Sequence, residues 1–448
     1  MKKKQTILAM VLALALILGA GFLLSRKSSQ APAAQDSTED LSISVGGSLT
    51  VNGLTFTKAG DAWVYSADPD FPLSQDKLNT MVETLEGLEA DRALENPGSL
   101  SQYGLDKPLA TVTAGPVTLS IGSDNAMNGG RYFSLGNGRV YITRQALLEP
   151  FDYDLLGLAK METAPRMETL STVTLTRADG SGWTIRNRQG EHLTYSDSIR
   201  YFLDTANGPL ALDTELTESL IRKATDLEFT GCAAFKPENL AELGLDSPLL
   251  TVTVAYSAPE AGVYTLEIGG AVSGKYYARI SGSNTVYWMD AVPVNALRDS
   301  APETLLPDEV LLLDMDTVNS VTIRLAQETW QFTPQVVDKQ STEAAEDTQG
   351  QTEIRWLLNG TETNLSQVLE TLTTMAFLGS ARALTPTLAQ ELEFTFETQD
   401  AFYPIVTLAF HRYSARASIV TLNGEPTVLV SRSDAAALYE AVTAIVLG

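Results

Sequence analysis

The chain has 448 residues, 44% of them hydrophobic, with 31 Lys+Arg against 55 Asp+Glu and one cysteine. Its formal charge of −24 repels phosphate backbones and anionic headgroups, which argues against nucleic acid and against broad adhesion to membrane surfaces. The lone Cys232 excludes an intramolecular disulfide framework, so the folded parts must rest on hydrophobic cores, and a chain of this length can supply several.

Residues 1–28 read as an N-terminal membrane anchor. Ile7 to Leu24 is an unbroken apolar run of 18, preceded by Lys2, Lys3 and Lys4 and followed by Arg26 and Lys27. That length just spans a bilayer, and the heavier positive charge before it puts the N-terminus in the cytoplasm. The expected location is therefore the cell membrane, single-pass, with the bulk of the chain extracytoplasmic and the cytoplasmic membrane contacted through residues 7–24. The competing reading is a cleaved signal sequence, for which Ala31-Pro-Ala33 offers a small-x-small site. No cysteine follows the run, which excludes a lipidated N-terminus. The first 27 residues hold five basic groups and no acid, leaving 26 Lys+Arg against 55 Asp+Glu and a formal −29 beyond them. Residues 29–42, rich in Ala, Ser, Pro and acids, are expected to form a flexible stalk.

Three modules are expected beyond it, at 43–168, 169–317 and 318–448. Each opens with an alternating hairpin bearing a tryptophan: Leu54 to Tyr65 with Trp63, Val173 to Ile185 with Trp183, and Val321 to Phe332 with Trp330. An amphipathic helix comes next in each. Ser74 can cap the first, whose stripe is Leu78, Met81, Val82 and Leu85. The second shows Leu216, Leu220, Ala224 and Leu227, and the third Leu365, Val368, Leu369, Leu372 and Met375. These stripes read as core.

A phrase then occurs twice, 140 residues apart: Leu100-Ser-Gln-Tyr-Gly104-Leu105-Asp106-Lys-Pro108 and Leu240-Ala-Glu-Leu-Gly244-Leu245-Asp246-Ser-Pro248. It reads as a helix ending, with glycine just past the last turn in the left-handed region, Leu100 and Leu105 (or Leu240 and Leu245) meeting across the cap, and proline barring the helix from resuming. Asp106 and Asp246 could instead face a partner or cation, but one carboxylate per repeat is too little to hold a metal. Alternating strands follow, including Val117 to Gly122 and Arg139 to Ile142, then Tyr264 to Gly269 and Thr285 to Trp288, joined by short turns that favour antiparallel sheet. In the third module Leu388-Ala-Gln-Glu-Leu392 takes the place of the phrase without its glycine, and an acidic loop at 338–351 is inserted. The expected fold class is α+β, tandem repeated modules, each an antiparallel sheet with a Trp-bearing hairpin and an amphipathic helix.

The Trp hairpin, the helix, the Gly-Leu-Asp-x-Pro phrase, the Ile-Gly strand end and the Val-Tyr strand resemble the bacterial domain-of-unknown-function family 4340. The likeness covers residues from about 54 to 330. It implies tethering outside the membrane and association with ABC-type exporter components, and it supplies no active site.

Catalytic signatures are sparse. His192 and His411 are the only histidines, in different modules, and no nucleophile elbow, zinc helix, paired Cys-x-x-Cys or P-loop is present. The pairs Asp68 with Asp70 and Asp314 with Asp316 lack the ligand spacing of a calcium loop. Cys232, in the apolar stretch Phe229 to Phe235, reads as a buried thiol. The aromatics Tyr132, Phe133, Tyr276 and Tyr277 lie on what look like corresponding strands, and form either sheet core or an interaction surface for protein or glycan. The expected function is a non-enzymatic, membrane-tethered accessory or scaffold, associated with an ABC-type exporter permease or envelope complex, with no cofactor. The alternative is an extracytoplasmic binding module for cell-wall glycan or a secreted ligand.

Overall fold

A computed structural model describes residues 38–447 except 95, 127–128, 189–190, 192, 194–195, 197, 207, 308–309, 339–351 and 376. The apolar run Ile7 to Leu24, His192 and nearly all of the acidic loop therefore lie outside the described residues. Among the described residues no helix is long and apolar enough to cross a membrane. The chain divides into two compact units, one through Met161 and the other from Glu162 onward.

The first unit contains β1 (Glu39–Asp40), β2 (Ser48–Val51), β3 (Leu54–Ala59), β4 (Ala62–Tyr65), α1 (Gln75–Glu86), β5 (Glu89–Ala90), β6 (Arg92–Leu94), β7 (Ala110–Ala114), β8 (Val117–Asp124), β9 (Arg131–Ser134) and β10 (Val140–Thr143). Strands β2 to β4 and β6 to β10 make one sheet in the order β4-β3-β2-β7-β8-β9-β10-β6. The chain crosses this sheet twice. It passes from one edge, β4, to the other, β6, through α1, whose Leu78, Met81 and Leu85 are buried. It then returns from β6 to β7 over β10, β9 and β8.

The repeated phrase lies on this return crossing, which acts as a strap. Along β8, Leu119 and Ile121 point into the core, so alternation turns Gly122 toward the opposite face. There a Cβ on Gly122 would lie 2.2 Å from Tyr103 O and 3.1 Å from the Leu105 side chain. The helix layer thus covers one face of the sheet and the strap covers part of the other. Folded structure begins earlier than the 29–42 stalk allows, because Glu39–Asp40 already pair with Glu89–Ala90, and Leu41 and Ile43 donate to Leu88 O and Leu85 O at 2.9 and 2.8 Å.

The second unit repeats the plan twice. Strands β11 (Thr169–Arg177), β12 (Gly182–Asn187), β13 (Tyr201–Thr205), β14 (Gly208–Ala211), β15 (Gly231–Phe235), β16 (Leu250–Ala258), β17 (Gly262–Val272), β18 (Lys275–Ile280) and β19 (Thr285–Asp290) accompany α2 (Thr214–Thr225) and α3 (Ala291–Arg298). Next come β20 (Val318–Leu325), β21 (Glu328–Asp338), β22 (Thr352–Leu358), β23 (Thr361–Thr363), β24 (Phe377–Ser380), β25 (Gln390–Thr398), β26 (Ile405–Arg412), β27 (Ala417–Leu422) and β28 (Glu425–Ser431), with α4 (Leu365–Thr373) and α5 (Arg432–Leu447). Their orders, β14-β13-β12-β11-β16-β17-β18-β19-β15 and β23-β22-β21-β20-β25-β26-β27-β28-β24, match the first sheet strand for strand, with one strand added at the hairpin edge. All strand pairs within the three large sheets are antiparallel, and the fold is α+β.

Each sheet of the second unit has its own core. One gathers Val173, Leu175, Trp183 and Ile185 with Leu220 and Ile221; the other gathers Phe332, Phe394, Phe396 and Phe410 with Leu438 and Val442. The buried stripe of α2 is Thr217, Leu220, Ile221 and Ala224. This corrects the expected stripe: Leu220 and Ala224 are on it, but Leu216, whose N–H donates to the Asp213 cap in the first turn, is 52% exposed, and Leu227 lies beyond the helix end.

Register also moves the third module's counterpart of the phrase. Ile121 faces Ala110, Ile268 faces Leu250 and Phe410 faces Leu392. Leu392 is therefore a strand residue equivalent to Leu250, and Leu388 to Leu392 leads into β25 rather than standing where the cap would be. In the same register His411 takes the position of Gly122 and Gly269.

Candidate functional surface

The strap is the most specific local structure in the chain. Gly104 and Gly244 sit at φ of 67° and 68°. Leu105 N and Leu245 N donate to Leu100 O and Leu240 O at 3.1 and 2.9 Å, while Gly104 N and Gly244 N reach Ser101 O and Ala241 O at 3.3 and 3.0 Å. This is the Schellman pair of bonds. The helix it ends is a single 3₁₀ turn, Leu100–Tyr103 or Ala241–Leu243, separate from the amphipathic helix. Leu105 and Leu245 turn inward and are buried, Leu100 stays 45% exposed, Asp106 and Asp246 are exposed, and Pro108 and Pro248 are half-buried where the chain enters β7 and β16. Replacing Gly104 by Ala is expected to cost at least about 1 kcal/mol through the left-handed backbone alone. The new Cβ also meets Ser123 N at 2.9 Å. Urea unfolding of the variant beside the parent checks this, and equal midpoints would contradict it.

The phrase and the Ile-Gly strand end are one structural unit. Gly269 repeats the contact of Gly122, with Leu243 O at 2.3 Å from its would-be Cβ. In the third sheet neither glycine is present, and the His411 imidazole stands there, with Nδ1 3.4 Å from Leu388 O and Nε2 3.3 Å from Thr421 Oγ1. A side chain thus fills the room that close backbone contact occupies in the other two sheets.

The four aromatic residues divide by strand alternation. Phe133 and Tyr276 face the core and are buried, so they belong to no surface, which corrects the sequence reading. Tyr132 and Tyr277 face outward and are half-buried. Tyr132 packs on Tyr103 of the strap with ring centroids 4.9 Å apart, and Tyr277 on Trp288 at 4.5 Å.

Two side-chain clamps had no sequence signal beyond their residue types. Gln75 closes the open edge at β4, accepting from Trp63 N at 2.7 Å and donating to Trp63 O at 2.9 Å, as a neighbouring strand would. Arg177 donates to Arg298 O and Ser300 O at 2.8 and 3.0 Å, holding the C-terminal end of α3 against the hairpin that carries Trp183.

A cleft of about 610 Å³ in the first unit runs between α1 and residues 145–153, lined by Asp76, Lys77, Glu83, Glu149 and Tyr153 among others. Lys77 is engaged there, donating to Gly157 O and lying over the Tyr153 ring at 4.7 Å. The adjoining hollow holds Arg131, paired with Asp124 at 2.6 Å. Cys232 is half-buried, not buried as its apolar neighbours suggested, on β15, the last strand in the described order of its sheet. Burial and then the Glu162 charge push the Tyr264 phenol up to about 12. Among the described residues no group of three or more His, Cys, Asp or Glu is placed to hold a metal ion.

A charge network ties α5 to its sheet. Arg432 grips both carboxylate oxygens of Glu391, Nη2 to Oε1 being 3.0 Å, and the Tyr439 hydroxyl donates to Oε2 at 2.8 Å. Burial alone would raise the Glu391 carboxyl, but the Arg432 and Tyr439 hydrogen bonds outweigh it and hold the group below its ordinary value. The resulting stability is complete above the unfolded-chain value of about 4.3 and is lost as pH falls through the lower folded value. Acid unfolding of Glu391→Gln is expected to lack this increment. Parallel acid curves for the two proteins would contradict the assignment.

The family model described as "Domain of unknown function (DUF4340)" matches the chain twice in tandem, over residues 63–208 and 205–392. The chain belongs to the DUF4340 family. No curated protein and no solved structure matches it. Each DUF4340 match begins within the hairpin region of one sheet, at Trp63 on β4 or at Thr205 closing β13, and runs into the next sheet. The DUF4340 repeat is therefore offset from the sheet, and a sheet takes strands from two successive matches.

Proposed function

We propose that this DUF4340 protein is a non-enzymatic accessory or scaffold, tethered by residues 7–24 to the outer face of the cytoplasmic membrane and contacting an ABC-type exporter permease or a related envelope complex. The observation that carries the reading is serial repetition: one order of antiparallel strands recurs in three sheets. Repetition presents the same kind of surface more than once along a chain, which suits extended contact with a partner. The distinctive polar side chains serve the fold in this reading, with Gln75 closing an edge, Arg177 and Glu391 clamping helices, and His411 seated under the strap. The ectodomain's formal −29 keeps it off anionic headgroups and favours basic extracytoplasmic loops.

Crosslinking of intact cells with a membrane-impermeant reagent, followed by identification of the captured proteins, tests this. A permease or another integral envelope protein is the expected catch. Capture of no membrane protein at crosslinker levels that trap known envelope complexes would refute it.

A further inference from the structure

Tyr132 and Tyr277 occupy one equivalent place. Phe133 faces Tyr141 and Ala278 faces Tyr287 across the neighbouring strands, so the residues just before them, Tyr132 and Tyr277, correspond, and they face Ile142 and Trp288. Each has a second ring packed on it, but the second ring comes from different elements, Tyr103 on the strap in the first sheet and Trp288 on β19 in the second. The third sheet shows what the fold alone needs here: Ile419 opposite Leu429, with Ile419 fully buried. Aliphatic side chains therefore satisfy the sheet. The first two sheets nonetheless place a pair of half-buried aromatic rings at this point by two separate routes, so the feature common to them is the two-ring platform.

The platform has a polar rim. On β18, Lys275 and Arg279 flank Tyr277 on the same face; Lys275 lies opposite Asp290, and Arg279 bonds Glu267 at 2.6 Å in a pair whose side chains are only 17% and 16% exposed, so that Lys275 and Asp290 form the accessible charges of the rim. Ser281 also donates to Glu267, at 2.8 Å. In the first sheet Ser134 shares the face of Tyr132, opposite Ser120. An apolar ring face bordered by hydroxyls and by charges of both signs matches a pyranose ring, which offers C–H groups on its faces and hydroxyls at its equator. A nucleobase would also stack, but its phosphates meet a formal −29. We infer that the outer faces of the first and second sheets each bind a pyranose unit of a neutral polysaccharide through the Tyr103–Tyr132 and Tyr277–Trp288 pairs. This inference goes beyond the scaffold reading and does not depend on which protein the chain contacts.

The test titrates the full chain, held in a detergent without sugar headgroups, with cellohexaose and with chitohexaose in a calorimeter, so that the readout does not depend on Trp288 itself. Saturable change with at least one of them is expected. The variants copy the third sheet: Tyr277→Ile with Trp288→Leu, and Tyr132→Ile. The first is expected to weaken binding about tenfold or more, the loss of one ring contact. Tyr277→Phe keeps the ring and should bind as the parent does. Because sheet three folds with aliphatic residues at these places, the variants are expected to keep the parent's circular dichroism. Should the double variant misfold, Tyr277→Phe against Tyr277→Ile gives the same comparison at one position. Absence of saturable change with both sugars would overturn the proposal, as would equal affinity for parent and variants. Loss of a crosslinked protein partner in the variants, without any sugar binding by the parent, would assign the platform to protein docking instead.

Discussion

Gly122→Ala is expected to destabilise the first unit by about 3 kcal/mol, the upper part of the usual cost of overpacking. The backbone at Gly122 has no positive φ, so alanine meets no local strain there, and the whole effect comes from the strap. Its Cβ would stand 2.2 Å from Tyr103 O, a backbone atom held in place by the cap and by the Tyr103–Tyr132 ring contact. Relief requires lifting the strap, which uncovers Leu105, now 7% exposed. Gly269→Ala repeats the conflict against Leu243 O at 2.3 Å and should cost a similar amount in the second sheet. Gly46→Ala, with nothing within 4 Å of its Cβ, is the control and is expected to stay within about 0.5 kcal/mol of the parent. Denaturant unfolding reads all three. Gly122→Ala behaving like the Gly46 control would mean that the strap is not seated on β8 as described.

Local features were legible from residue order, and features set by long crossings were not. The left-handed glycine before Leu105 follows from Gly-Leu-Asp-x-Pro alone, and Ser74 is the N-cap of α1. What the phrase rests on could not be read locally, because the strap meets Gly122 only after passing over β10, β9 and β8. The same nonlocality hid the coupling between the lost cap glycine of the third sheet and His411, which lie on different elements and are joined by the register of β25 against β26. Alternation told that adjacent aromatics face opposite ways but left open which faced the core, so Tyr132-Phe133 and Tyr276-Tyr277 looked equivalent although they are out of step by one residue. In α2 the buried stripe runs through Thr217 and Ile221 rather than Leu216, since one residue of phase turns a helix by about 100° and packing against the sheet chooses the face. Gln75 acts as a substitute strand edge only because the first sheet ends at β4, a fact of topology that no spacing reveals.

On the proposal of a membrane-tethered scaffold, deletion of residues 7–24 is expected to abolish cellular function while leaving every sheet folded. The first described strand, β1 from Glu39, pairs with β5 beside the C-terminal end of α1. Held near the membrane, even a weak interface meets its partner at an effective concentration on the order of millimolar, and release into the surrounding volume forfeits that gain of about 10²–10⁴ in avidity. The measurement is complementation of a deletion strain by a secreted form lacking Ile7 to Leu24, matched to the parent in protein level and in circular dichroism. The scaffold account predicts failure to complement, with function restored when an unrelated single-pass anchor is fused ahead of residue 38. Full complementation by the secreted form would contradict it and mark the protein as a diffusible binding protein.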